Sequence, residues 1–306
     1  MNLLRNIPLK EYSNYKMGGS AAFFVEVEKP EDIMEINPTD FKKIFIMGAG
    51  TNVLISENGF DGLVIHNKIL GIKHEDIDLK IGGGVIFSDV LDYCIENSLS
   101  GLEWAGGLPG TVGGAVRGNA GAFGEETKDS VYEVESIDLY TKEKRIRTNA
   151  QCKFGYRTSL FKENNDREII TEVFLKIKNG ERSEIGKKIQ EKVDYRNARH
   201  PMDYPSLGST FKNIDWKEIP ENLKEGWKQY IKNDPFTIMP VAKIVFLAGL
   251  MGKRIGGAMI SDKHPNFIVN VDNAKASEVE ELIQLAKKTI KEKYAVDLEE
   301  EIQYLS

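Results

Sequence analysis

Two glycine-rich stretches have the composition to hold a phosphate. In GGLPGTVGGAVRGNAGAFG (106–124) eight of nineteen residues are glycine. That density costs backbone entropy in any regular element, so the local geometry must require residues without a side chain. A flexible linker would place Ser and other polar residues between the glycines, whereas Leu108, Pro109, Val112, Ala115, Val116 and Phe123 intervene here. The reading is an ordered loop whose successive N–H groups can converge on a phosphate or diphosphate; a purely structural loop is the alternative. GAGTN (48–52), directly after an apolar strand, offers the same chemistry. It is not a Rossmann fingerprint, because Val53 stands where the third glycine would be, and no GxxxxGK[ST] run exists. Two glycine loops, each joined to a strand, suit a two-phosphate ligand held between two small α+β units.

The elements that must position these loops are short and irregularly alternating. AAFFVEVE (21–28), KKIFIMGAGTN (42–52), DGLVIHN (61–67) and DLKIGGG (78–84) have strand character, and EDIMEI (31–36) reads as a short helix. IFSDVLDYCIENS (86–98) sets Phe87, Val90, Leu91 and Cys94 on one helical face. VYEVESIDLYT (131–141) and REIITEVFLKIK (167–178) read as long strands flanking Tyr156 and Arg157. SEIGKKIQEKVDYR (183–196) is a helix at the passage to a further domain. SEVEELIQLAKKTIKEKY (277–294) is the clearest helix, with a capping box expected from Ser277 and Glu280 and a buried stripe of Val279, Leu282, Ile283, Ala286 and Ile290. EEEIQY (299–304) reads as a closing strand. The pattern predicts an α+β fold rather than a doubly wound parallel sheet.

Composition narrows the function classes. A net charge of −6, with no Lys/Arg stripe or basic tail, argues against nucleic acid as a partner. Cys94 and Cys152, the two cysteines, have no CxxC spacing and read as small buried apolar residues. Four scattered histidines make no metal constellation, so no metal is expected. The most apolar run, IMPVAKIVFLAGLMG (238–252), is interrupted by Lys243 and too short to span a bilayer. MNLLRNIPLKEYSNYK at the start has no apolar core of an export signal, and the expectation is a soluble cytoplasmic protein.

Several motifs, in order, resemble one family. MGGSAAFFVEVEKPEDI, MGAGTNVLISENGFDGLVI and GLPGTVGGAVRGNAGAFG are similar to the FAD-binding region of the UDP-N-acetylenolpyruvoylglucosamine reductase family, flavoenzymes of peptidoglycan precursor synthesis. GYRTSLFK (155–162), PSLGSTFKN (205–213), GGAMISDKHPNFIVN (256–270) and LEEEI (298–302) resemble its later motifs. The resemblance implies a vanillyl-alcohol-oxidase (PCMH)-type FAD-binding domain of two α+β subdomains, 1–75 and 76–182, and a C-terminal α+β substrate-binding domain, 183–306. It also implies non-covalent FAD, NADPH as hydride donor, and a nucleotide-sugar substrate. The short spacing between GYRTSLFK and PSLGSTFKN is similar to the compact form of the family.

Carried over position by position, the resemblance implies catalytic roles for Arg157, Ser209 and Glu301. Arg157 would grip the substrate carboxylate, Ser209 would give the proton to C2, and Glu301 would polarise the developing enolate. Each has a bland alternative: a strand arginine paired with an acid, a turn hydroxyl after Gly208, and an acidic tail of Glu299, Glu300 and Glu301. FAD contacts are expected from Gly48, Ala49, Gly50, Thr51 and Asn52, from Gly107, Pro109, Gly110, Thr111, Gly113 and Gly114, and from Asn119, Gly121 and Tyr156. Asn213 matches a substrate-binding position, and Lys212 is compatible equally with the diphosphate and with solvent. His264 reads as structural. The chain departs from the family pattern at Arg117-Gly118, at Phe123, where the family has Tyr, and at Ile302-Gln303, where it has Val-Arg. The stretch 215–239 is longer than in many relatives, and its Trp227, Tyr230 and Ile231 read as packing residues. No nucleic-acid or membrane partner is expected, and the chain reads as a monomer or weak homo-oligomer. A flavin oxidase and a non-catalytic flavin-binding module are the rival functions.

Overall fold

The computed structural model describes residues 1–164 and 167–306. The chain divides into two compact units, the first formed by Met1–Ile7, Ala21–Gly50 and Asp61–Arg196, the second by Pro8–Ser20, Thr51–Phe60 and Asn197–Ser306. Helices and strands mix throughout both, as an α+β fold requires. Among the described residues, no helix is long and apolar enough to cross a membrane.

Two larger sheets dominate the described residues of the first unit. One has four strands in the order Leu4–Pro8, Ser20–Val27, Phe60–Asn67, Ile44–Met47. Its last pair is parallel, with Ile44 opposite Leu63 and Met47 opposite His66. The other is antiparallel, in the order Lys144–Thr148, Val131–Asp138, Glu168–Lys176, Asp78–Gly82, Ile72–Glu75. Helix Phe87–Glu96 buries Phe87, Val90, Leu91 and Cys94, the face its periodicity selects. Burial pushes the thiol of Cys94 up to about 12 and that of Cys152 up to about 11, so both stay protonated and inert at neutral pH.

The glycine run is not one loop. Val112–Gly118 forms a short helix, and Gly121–Ala122 pairs with Glu125–Glu126 as a small hairpin. A helix with three glycines is intrinsically poor; packing selects them. A Cβ on Gly113 would lie 2.7 Å from the Gly83 carbonyl oxygen, and the Gly113 N–H donates to that same oxygen at 2.9 Å. Gly82–Gly84, at the end of a strand, therefore provides the bed for this helix.

The second unit is built on an antiparallel sheet in the order Ser206–Ser209, Phe267–Asn270, Ala258–Ile260, Arg254–Ile255. Helix Ala276–Tyr294 lays Val279, Leu282, Ile283, Ala286 and Ile290 into its core. Its cap differs from the expected one. Glu278, not Glu280, turns back to accept from the Lys275 N–H at 3.0 Å, and it also accepts from Gly257 N–H at 2.9 Å. That second, tertiary donor decides the register of the cap. The closing strand is shorter than EEEIQY suggested: Gln303–Leu305 pairs in parallel with Val53–Ile55. Trp227 is buried against the Tyr294 ring, 5.1 Å between centroids, in the core of its own unit.

Candidate active site

In the first unit the two glycine loops face one another. Strand Ile44–Met47 runs into the bends Gly48–Gly50, and a Cβ on Gly48 would fall 2.5 Å from Thr111 Oγ1. Thr111 caps the glycine helix by accepting from Gly114 N–H at 3.1 Å. Gly50, Gly107 and Gly110 have φ of +62°, +70° and +105°, which side-chain-bearing residues rarely adopt. Pro109 is exposed, and Gly48, Ala49 and Gly110 are half-exposed. A partly exposed backbone surface, closed to side chains and beside a helix N-terminus, is chemically suited to a diphosphate. Gly107 is also required by packing: a Cβ there would meet Arg196 Cδ at 2.8 Å.

The C-terminal end of the same helix positions Arg157. Asn119, fully buried in the left-handed conformation at φ +43°, donates from Nδ2 to the Gly155 carbonyl at 2.9 Å and accepts from Lys128 N–H at 3.0 Å. Ser159 Oγ donates to the Arg117 carbonyl at 2.7 Å. These bonds fasten both ends of segment 155–159, within which Gly155 and Thr158 bond each other across a tight turn. Tyr156 and Arg157 occupy its two central positions. Arg157 has φ +56°, a strained setting for a long side chain. Its guanidinium lies 5.2 Å from the Tyr156 ring centroid and donates from Nη2 to the Gly121 carbonyl at 3.3 Å. Asn119 thus acts through its backbone neighbours, with its side chain spent internally. Asn119→Ala should cost about 2–4 kcal/mol in chemical denaturation, because it strands buried polar groups; an unchanged midpoint would contradict this role.

In the second unit, six of the expected site residues lie on adjoining backbone segments. Ser209 ends the strand Ser206–Ser209 opposite Phe267, after an irregularity at Gly208, whose φ is +80°. The next residues pair with the chain terminus: Glu301 N–H donates to the Thr210 carbonyl at 2.8 Å, and Lys212 N–H to the Glu299 carbonyl at 2.9 Å. Asn52 stitches the same segment, giving Nδ2 to the Glu301 carbonyl at 3.1 Å and receiving Gln303 N–H at 3.0 Å. Ser209 and Glu301 are half-buried. Lys212 pairs with Glu299, and Glu300 takes Lys287 at 2.7 Å. The acidic tail is therefore an ordered, differentiated segment. Asn213 accepts from Val241 N–H at 3.1 Å, so its amide oxygen caps helix Val241–Leu247. Thr51 is half-buried at the start of this unit's short inserted segment.

His264 packs edge-on against Phe267 at 4.8 Å, its Nδ1 buried without a hydrogen-bond partner among the described residues. Burial lowers its pKa to about 4. A base whose folded pKa is depressed stabilises the fold above its unfolded value of about 6.5. That contribution is lost as pH falls toward 4, by at most about 3 kcal/mol. Denaturation midpoints across this window should fall less steeply in His264→Phe than in the native protein; parallel slopes would contradict the assignment.

Sequence reasoning missed Asn119's bonds to Gly155 and Lys128, Ser159, the Gly82–Gly84 bed and the Phe123–Gly124 hairpin tip. A Gly-Gly-Gly run after a strand was the available signal for the bed; nothing local marks the others.

Comparison with known proteins identifies relatives of both parts of the chain. A family model described as FAD binding domain matches residues 21–145, and one described as UDP-N-acetylenolpyruvoylglucosamine reductase, C-terminal domain, matches 200–305. The chain is 34% identical to the UDP-N-acetylenolpyruvoylglucosamine reductase of Geobacillus thermodenitrificans over 308 residues, covering 99% of this chain and 93% of that one. It is 33% identical to that of Fusobacterium nucleatum, covering 99% of both. The crystal structure of the Thermus caldophilus reductase superposes with a TM-score of 0.78 at 28% identity, covering both chains fully.

Proposed function

We propose, from the premise that this chain belongs to the UDP-N-acetylenolpyruvoylglucosamine reductase family, that it reduces UDP-N-acetylglucosamine enolpyruvate to UDP-N-acetylmuramate with NADPH and FAD, in peptidoglycan precursor synthesis. The observation that carries the reading is the pair of opposed glycine loops in which a Cβ at Gly48 has no room beside Thr111. Such a backbone cradle fits a dinucleotide's diphosphate, and Gly48, Ala49, Gly50, Thr51, Asn52, Gly107, Pro109, Gly110, Thr111, Gly113, Gly114 and Gly121 are the residues that would hold the cofactor, with Asn119 and Tyr156 beside them. Bound FAD supplies hydride transfer between nicotinamide and substrate, while the protein supplies placement and charge.

The protein's own steps follow from the substrate's chemistry. As hydride reaches C3 of the enolpyruvyl group, negative charge develops on C2 and its carboxylate. A fixed guanidinium there interacts more strongly with the transition state than with the ground state. Arg157 is that group, and its planar fork matches a carboxylate. Ser209 Oγ delivers the proton to C2, a step open to a weak acid because the carbanion-like partner is a strong base. Glu301 polarises the developing enolate beside it. Lys212 and Asn213 serve the nucleotide end of the substrate. We read 1–75 and 76–182 as the flavin-binding subdomains and 183–306 as the substrate domain. The chain works in the cytoplasm as a monomer or weak homo-oligomer, a reading supported by Trp227 being buried within its own unit. Purified protein should carry FAD and turn over NADPH beyond one equivalent only when the enolpyruvyl nucleotide is present; steady oxidation driven by oxygen alone would instead favour an oxidase.

A further inference from the structure

Arg196, which the proposed chemistry does not use, stands where the glycine loop and the Arg157 support meet. Its Nε donates to the Gly106 carbonyl at 2.9 Å, and its Cδ lies 2.8 Å from where a Cβ on Gly107 would be. Its guanidinium also sits 5.5 Å from the Phe123 ring centroid, where Lys192 Nζ approaches at 4.6 Å and Tyr195 packs edge-on at 5.3 Å. Phe123 and Gly124, with φ of +56° and +87°, form the two-residue tip of the 121–126 hairpin. Positive φ at both positions is the favoured hairpin geometry, but a phenylalanine is a poor residue for it. An outside grip on the ring offsets that strain. The stem of the hairpin bears the Gly121 carbonyl that receives Arg157 Nη2. Among the described residues no carboxylate forms an ion pair with Arg196, and burial lowers its pKa. A desolvated guanidinium spent on a carbonyl and a ring, rather than on an acid, is fixing geometry.

We infer that Arg196 is a positioning residue: it locks the 106–110 loop to the 121–126 hairpin, and through Gly121 it sets the pose of Arg157. The inference rests on the flavin reading for its catalytic consequence, though the lock itself does not. In the holoenzyme, Arg196→Met keeps the aliphatic stem on Gly107 but loses the N–H and the charge. FAD release on dilution should rise about tenfold, the visible circular dichroism of the bound flavin should change, and kcat should fall more than KM for the nucleotide substrate rises. Arg196→Lys should not rescue these, since a lysine cannot reach the carbonyl and cover the ring together. A variant with lowered thermal stability but native flavin release, flavin dichroism and kcat would overturn the inference. A thermal-stability cycle of Arg196→Met with Phe123→Ala tests the lock without flavin. The double variant should be no less stable than the weaker single one, whereas additive losses would overturn the lock even in a protein that bound no FAD.

Discussion

Ser209→Ala should leave bleaching of the protein's flavin by NADPH at its native rate, while the reaction with the enolpyruvyl nucleotide slows by roughly 10²–10⁴-fold, the usual range for a removed proton donor. The two half-reactions separate the role cleanly, because only the second needs a proton at carbon. The fold should tolerate the change. Ser209 sits at a strand end held by backbone pairing to Phe267, and no side-chain hydrogen bond from its hydroxyl holds the structure together among the described residues. Stopped-flow absorbance of each half-reaction is the measurement. Equal slowing of both halves would assign Ser209 to shaping the site instead.

Arg157→Lys is expected to cost roughly 10²–10³-fold in kcat for the enolpyruvyl nucleotide, the scale of a lost transition-state donor, although the charge is retained. An ammonium cannot form the two parallel bonds of a guanidinium to a carboxylate. The turn makes a second comparison possible. Because Arg157 sits at φ +56°, Arg157→Gly should relieve backbone strain of about 1–2 kcal/mol and yet be inactive. A protein at least as stable but catalytically dead marks a residue kept for chemistry rather than for folding. Near-native turnover of Arg157→Lys would remove the bidentate argument.

Local pattern made much of the scaffold legible. Helix Phe87–Glu96 buries the four residues its periodicity picks out, and helix Ala276–Tyr294 lies within one residue of its expected bounds. What the pattern could not contain was long-range pairing. Val53–Ile55 joins the second unit because it pairs with Gln303–Leu305, some 250 residues away, so the GAGTN segment is divided after Gly50. The helix inside the glycine run was hidden by low intrinsic propensity and exists because Gly113 docks on Gly83. The cap of the last helix shifted by two residues because Gly257 competes for Glu278. The candidate residues Arg157, Ser209 and Glu301 came from the family motifs. A Tyr-Arg pair, a Gly-Ser pair and an acidic tail are each unremarkable alone. Physical support for Arg157 came only with its left-handed backbone and the bonds from Asn119 and Ser159 that hold its turn.

The central claim is that one bound flavin passes reducing equivalents from NADPH to an enolpyruvyl nucleotide. Anaerobic spectrophotometry in two additions tests it most directly. NADPH should bleach the visible flavin band, and one equivalent of UDP-N-acetylglucosamine enolpyruvate should then restore it with formation of UDP-N-acetylmuramate. A band that NADPH fails to bleach, or that returns with oxygen but not with the nucleotide, would contradict the account.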